Sequence, residues 1–329
     1  MKYIKETIDY KIETFKSLDM YLSSESYGIL DIETTGLSPA FGSVILTGLI
    51  LIDGDVITKH QLLATSLDDE KELLAKTAKL LDSCNHIITF NGRMFDIPFL
   101  KKRSLKYDIN MPNVFNLDLF ILLKFYSDIS KILPRMNQKT IEEYAGIASF
   151  RNDMISGEES VKQYLKYLEN NSKELEDTIL LHNSDDIMQL MRLCSLIKNV
   201  DVHRAFYKTG FPIVGGRITG IEIKKSEIIV KGNSYSATDY ITFPTIETPY
   251  LFQMSGKDHS FELTLSCEST GNNVYVDVKT LIDPKAREVL STLPSFVNDY
   301  IILKENKRLN YLDINLLARE AARIALERI

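Results

Sequence analysis

The sequence predicts an α/β fold, a mixed sheet flanked by helices, followed by a smaller β-rich α+β domain. Three observations carry that expectation. Apolar runs at 27–32, 44–52 and 55–63 read as strands, helical spacing dominates from about residue 66 to 199, and beyond residue 205 the apolar period drops to two. A chain of 329 residues is long enough for two domains, and the change of pattern places them at 1–204 and 205–329.

The elements follow in order. A helix is expected near residues 5–22, and the strand at 27–32 runs into the polar turn Thr34-Thr35-Gly36. The next two strands flank Asp53-Gly54, a dipeptide suited to the left-handed positions of a tight hairpin, so these three strands should be antiparallel neighbours. Ser66 followed by Asp69 resembles a capping box, and Leu73, Leu74, Ala78, Leu80 and Leu81 then recur at helical spacing through residue 83. A short strand at 86–90 precedes helices at 96–104, 114–126, 139–145, 159–169 and 172–199. Gly210-Phe211-Pro212 and Gly215-Gly216 read as a linker. Beyond it Phe261, Leu263, Leu265 and Cys267 alternate with polar residues, as do Val274, Val276 and Val278 after a turn at Gly271-Asn272. A final helix from about Asp313 carries Ile314, Leu317, Ala321, Ile324 and Ala325 as one apolar stripe.

Composition narrows the class. Hydrophobic residues at 44% and charged residues at 26% describe a folded globular chain with little room for long disorder. Three scattered cysteines without CxxC spacing argue against a disulfide framework and a thiolate zinc site. No segment reads as a signal peptide or reaches membrane-spanning length, so a cytoplasmic location without membrane attachment is expected. The net charge of −6 is unusual for a nucleic-acid binder, but it is unevenly spread. Residues 91–139 hold nine Lys or Arg, Arg103 among them, against four Asp; residues 140–201 hold six basic against twelve acidic side chains. That segregation reads either as ordinary solvated helix faces or as a basic rim beside an acidic metal site.

Three motifs carry chemistry. Asp31 and Glu33 stand at i and i+2 on a strand, so both carboxylates point to one face, where a divalent cation with oxygen ligands would offset their repulsion. Asp96 follows the 86–90 strand, at its end or in the first helical turn, where it also suits a cap, with Pro98 in the first turn. His182 and Asp186 lie one turn apart on a helix. Helical phase groups Asp186 with Ile179, His182, Leu190, Leu193 and Cys194 on an inward row and sends Asp185, Gln189 and Arg192 outward into solvent.

Together and in this order, these residues resemble the DEDD exonuclease superfamily, whose members have an RNase H-like fold. The likeness spans about residues 25–200. The segment Asn91 through Leu100 looks like its counterpart in the exonuclease domain of family B DNA polymerases; the segments Asn116-Leu117-Asp118-Leu119 and Lys139-Thr140-Ile141-Glu142 are more similar to YprB-type bacterial RNase H-like proteins. The resemblance implies two ions, Mg²⁺ or Mn²⁺, held by Asp31, Glu33, Asp96 and Asp186, with Asp31 bridging both. It also implies that His182 orients or deprotonates the attacking water. The histidine stands four residues before the last aspartate, a spacing the superfamily uses with tyrosine. Thr34, Thr35 and Leu37 match the loop that contacts the terminal nucleotide, with Leu37 as a wedge or else an ordinary core leucine. Asn91 is a further contact or a turn former.

The expected function is a metal-dependent 3′→5′ exonuclease acting on single-stranded DNA or RNA ends. The alternatives are a structure-specific or RNase H-type endonuclease and a catalytically silent binding module. In the second domain Tyr235, Tyr240, Phe243, Tyr250 and Phe252 read as core aromatics or as a base-stacking platform.

Overall fold

A computed structural model describes residues 1–13, 16–22, 26–153, 155–246, 248–280 and 283–329. The chain divides into two compact units, Met1–Val200 and Asp201–Ile329.

The first unit is built on a six-stranded sheet of β1 (Lys2–Thr7), β2 (Ser26–Thr34), β3 (Val44–Asp53), β4 (Val56–Leu63), β5 (His86–Thr89) and β6 (Phe115–Asp118), in the order β1-β4-β3-β2-β5-β6. The β2–β3 and β3–β4 pairs are antiparallel, as expected, whereas β5 and β6 join β2 in parallel. Asp53 pairs with Val56 across the hairpin, and Gly54 takes the left-handed conformation there (φ 55°). The helices are α1 (Lys16–Asp19), α2 (Glu70–Leu81), α3 (Asp96–Leu105), α4 (Leu119–Tyr126), α5 (Ile129–Ile132), α6 (Gln138–Ala145), α7 (Gly157–Asn170) and α8 (Lys173–Leu193).

Alternation along β2 assigns its two faces. Leu30 and Ile32 join Leu73, Leu74, Phe99 and Leu100 of α2 and α3 in one core cluster. On the other face Leu46 and Leu63 pack with Tyr164, Tyr167, Ile179 and Leu180 of α7 and α8. Asp31 and Glu33, at the alternate positions of β2, thereby share a face with the long helix α8.

In the first unit two element expectations are corrected. The helix expected near 5–22 is instead strand β1, paired antiparallel with β4, and the four-residue helix α1; residues 14 and 15 of that range lie outside the described residues. A short edge strand with lysines at positions 2 and 5 gives little periodicity to read. The expected helix at 114–126 starts later, because 115–118 form β6, buried along its whole length. Asp118 then caps α4 by accepting from the Ile121 amide at 3.3 Å. A buried run of that kind looks the same in a strand and in a helix.

Among the described residues, the second unit holds two antiparallel sheets and the α-helices Val202–Thr209, Pro284–Ser291 and Tyr311–Leu326. Residues 210–216 are no linker: Phe211–Ile213 pairs with Gly216–Ile223 as a hairpin, with Gly210 and Gly215 at φ 78° and 77°. The apolar stripe of the final helix is buried as its spacing predicts. The five aromatics split, with Tyr250 and Phe252 in the core, Tyr240 packed at a tilt against Phe252, and Tyr235 and Phe243 exposed.

One buried ion pair ties α2 to α3. Glu70 accepts from Arg103 Nε at 2.8 Å and Nη2 at 2.5 Å, from Tyr107 Oη at 2.7 Å and from the Val44 amide at 2.8 Å. Arg103 is therefore buried structure, not part of a basic rim. Burial pushes the Glu70 pKa up, but the hydrogen bonds from Arg103, Tyr107 and Val44 more than offset that, and it lies below the usual value. A depressed folded-state pKa means that the stabilisation is full above the unfolded-state value of about 4.3 and is lost as pH falls through the folded one. Glu70→Gln leaves the arginine charge buried without a counter-charge and should cost about 3–5 kcal/mol at pH 7 in a urea titration followed by circular dichroism. The gap between wild type and variant should narrow below about pH 4.

Candidate active site

The end of β2 brings the expected carboxylates together. Asp31 and Glu33 project toward α8, which supplies His182 and, one turn later, Asp186. Asp96 comes from the first turn of α3. Its placement follows from the length of β5, which pairs with β2 only as far as Ile29 and leaves the Ile32 amide without a strand partner. Asp96 Oδ1 accepts that amide at 3.1 Å, so the carboxylate replaces a missing ladder bond and is drawn to the site.

The loop before Asp96 is fixed from below. Asn91 is left-handed (φ 63°), and its amide and that of Arg93 donate to the Asp118 carboxylate at 2.9 and 3.0 Å. A turn-forming role for Asn91 is thus realised in its backbone. Thr34 and Thr35 brace the neighbouring loop, Thr34 Oγ1 donating to the Gly36 carbonyl at 2.9 Å and Thr35 Oγ1 accepting from the Ser43 amide at 2.9 Å. Leu37 is no core leucine, being 88% exposed in that loop; Phe41 (93%) and Met94 (76%) are exposed likewise.

So many carboxylates in one partly buried place repel one another. Burial raises the pKa of Asp31 well above the usual carboxylate range, and the charges of Asp186, Asp96 and Glu33 add to it, against one opposing hydrogen bond from Asn183. Burial likewise pushes Glu33 up to about 8 and Asp96 up to about 7. Asp186 is raised by burial and partly restored by His182 and by Arg151, whose Nη2 lies 2.7 Å from Asp186 Oδ1. Burial alone would lower the pKa of His182, but the Asp153 hydrogen bond and the charges of Asp186 and Glu33 lift it overall. Glu33, His182 and Asp186 each offer one donor atom to a group lying within 4.8 Å of one another. Oxygen-rich donors carrying mutual repulsion fit divalent cations, which would convert that repulsion into attraction.

The supporting residues are ones the motifs do not include. Asn183, fully buried, donates to Asp31 Oδ2 at 3.1 Å, and its own Oδ1 accepts from Gln61 Nε2 at 3.1 Å. Gly48, opposite Asp31 in the β2–β3 pair, makes room for it: a Cβ there would lie 2.3 Å from Asn183 Oδ1. Asp153 accepts from His182 Nδ1 at 2.6 Å and is itself held by Arg151 Nη1 at 2.7 Å, while the same guanidinium forks onto Glu142. Nothing in the spacing of Arg151 and Asp153 signals this, since they stand in a loop 29 residues or more from His182.

The outward row expected on α8 is overturned. Asp185 is buried, and it accepts the amides of Asn152 and Asp153 at 2.5 and 2.7 Å. Gln189 is buried too, donating to Glu142 and to the Ile147 carbonyl, and Arg192 lies over the Phe150 ring at 5.0 Å. The segment around 142–153 covers that side of the helix, so α8 has two buried faces. Asp185→Ala, which the helical phase alone would call harmless, leaves two amides without an acceptor. It should cost about 2–3 kcal/mol in a urea titration, with loss of order at 151–153 visible as faster amide hydrogen exchange.

A family model described as the RNase_H superfamily matches residues 29–198. No curated protein sequence matches the chain. Among solved structures, the family B DNA polymerase from the hyperthermophilic archaeon Pyrobaculum calidifontis is similar at 14% identity and a TM-score of 0.42, over 92% of this chain and 46% of the polymerase. This chain thus spans less than half of the polymerase's length. E. coli Exonuclease I in complex with a dT13 oligonucleotide is similar at 11% identity and a TM-score of 0.34, over 93% of this chain and 71% of that one. An ExoI/SSB-Ct complex gives 11% identity and a TM-score of 0.36, over 92% and 71%. By the match over residues 29–198, the chain belongs to the RNase H superfamily.

Proposed function

We propose that this protein is a metal-dependent 3′→5′ exonuclease acting on single-stranded nucleic acid. The observation that supports it most is the convergence of Asp31, Glu33, Asp96 and Asp186, from three separate stretches of the chain, into one largely buried cluster in which the charges of Asp96 and Asp186 raise the pKa of both Asp31 and Glu33. Among the described residues Arg151 forms an ion pair with the cluster and is already shared with Glu142 and Asp153, while His182, which faces it too, carries a charge only when protonated. A cluster of this kind is costly for a fold to keep unless cations complete it.

Asp31, Glu33, Asp96 and Asp186 would hold two ions, Mg²⁺ or Mn²⁺. When bound, the ions lower the pKa of the attacking water and stabilise the leaving 3′-oxygen. The chain's own residues do the rest. Asn183 fixes the Asp31 carboxylate, the Ile32 amide fixes Asp96, and Arg151 fixes one oxygen of Asp186, so that little reorganisation is left to the moment of reaction. Leu37, Phe41 and Met94 project from the loops that lead out of β2 and into Asp96, and offer apolar surface for unpaired bases, with Phe41 an aromatic face on which a base can stack.

End-labelled single-stranded DNA and RNA, incubated with Mn²⁺ or Mg²⁺, test the reading. The expected product is a ladder of mononucleotide release from the 3′ end, abolished by excess EDTA. Internal cuts would make the protein an endonuclease, and binding without cleavage would make it a binding module. Asp31→Asn should lower turnover by at least ~10²–10³ with the circular dichroism spectrum unchanged. Full turnover in excess EDTA overturns the metal-dependent reading.

A further inference from the structure

We propose that His182 is itself a metal ligand, completing with Glu33 and Asp186 a mixed nitrogen and oxygen site that prefers Mn²⁺ and Co²⁺ over Mg²⁺. This rests on the reading that the carboxylate cluster holds cations, and specifies one of them.

The geometry of the ring carries the argument. His182 is 3% exposed, and its two nitrogens face different surroundings. Nδ1 lies 2.6 Å from Asp153 Oδ2. A carboxylate can only accept, so Nδ1 carries the proton and the lone pair of the neutral ring sits on Nε2. Asp153 is not free to turn away: Arg151 holds its carboxylate and Asp185 accepts its amide.

Nε2 makes no hydrogen bond among the described residues. It points between two carboxylates, 3.5 Å from Glu33 Oε1 and 3.5 Å from Asp186 Oδ2. Ligands bound at about 2.0–2.2 Å to one ion lie roughly 3–4 Å from each other, so these separations are those of neighbouring ligands around a single cation. The remaining Asp186 oxygen is occupied by Arg151, which leaves Oδ2 for the ion. A histidine that donates one ring nitrogen to a carboxylate and presents the other to a cluster of ligands is the usual arrangement at metal centres, where the outer carboxylate fixes tautomer and ring angle.

The donor set decides the metal. Mg²⁺ favours oxygen ligands and retained water, whereas imidazole binds first-row transition ions more tightly, with affinity rising from Mn²⁺ to Co²⁺. Asp153 acts on the ion through His182 and is a positioning residue.

The test uses the full chain without nucleic acid. Mn²⁺ is bound, and pulsed EPR reads nitrogen coupled directly to the metal while calorimetry reads the Mn²⁺ and Mg²⁺ affinities. The wild type should show one directly coordinated imidazole nitrogen and bind Mn²⁺ more tightly than Mg²⁺. His182→Gln should lose the nitrogen coupling and weaken Mn²⁺ binding at least tenfold, with Mg²⁺ affinity changed less. Asp153→Asn keeps the histidine but frees its ring, and should weaken Mn²⁺ binding by about 10–100-fold, the range for loss of an outer-shell partner. Bound Mn²⁺ without a coordinated nitrogen, or with a nitrogen that persists in His182→Gln, overturns the proposal and leaves the metal-dependent nuclease reading standing. Failure of the wild type to bind Mn²⁺ at all overturns both.

Discussion

Electrostatic repulsion inside the first unit is the constraint on which its design turns. Four carboxylates meet at the end of β2, Glu33 and Asp96 buried and Asp31 and Asp186 half-buried, and the charges of Asp96 and Asp186 raise the cost of ionising Asp31 and Glu33. A fold can keep such a cluster only if the backbone beneath it is held firmly enough not to spread. The surrounding structure does that with hydrogen bonds to fixed donors, not with compensating charges placed in contact with every acid.

The supports are mostly acids and amides of the same kind as the site itself, used differently. Asp118 ends β6, gathers the Asn91 and Arg93 amides and caps α4, so one side chain sets the loop that delivers Asp96. Asp185 gathers two amides on the far side of α8 and so places Asp153 under His182. Adjacent residues 185 and 186 thus serve opposite purposes. Asp185 is satisfied by donors and is structural, while Asp186 is left short of them and faces the cluster.

Much of this could be read in advance, for physical reasons that also explain the misses. Alternation on β2 puts Asp31 and Glu33 on one face whatever surrounds them, and a one-turn separation puts His182 with Asp186, so those pairings followed from local geometry. The helical phase misassigned Asp185, Gln189 and Arg192 because it assumes one buried face, and α8 is covered by the sheet on one side and by the segment around 142–153 on another. Asp153 and Arg151 were invisible because their partners are far away in sequence and loops carry no period. The strand 115–118 and the hairpin at 211–223 were misread for a related reason: burial and pairing are set by neighbours that a single stretch of sequence does not contain.

Gly48 shows how the chemistry of the site reaches back into assembly of the sheet. Sliding β3 along β2 by two residues would keep every side chain on its proper face and so escape the usual penalty for slipped strands. It would also bring Leu46 or Ile50 opposite Asp31, into the volume that Asn183 occupies. The missing side chain at position 48 therefore acts as a gauge of alignment, since Asn183 can reach Asp31 in one pairing of the two strands and is shut out of its neighbours. A chain that closes α8 over a misaligned sheet would meet a steric block at the site itself, so correct threading and a competent centre are selected by the same contact.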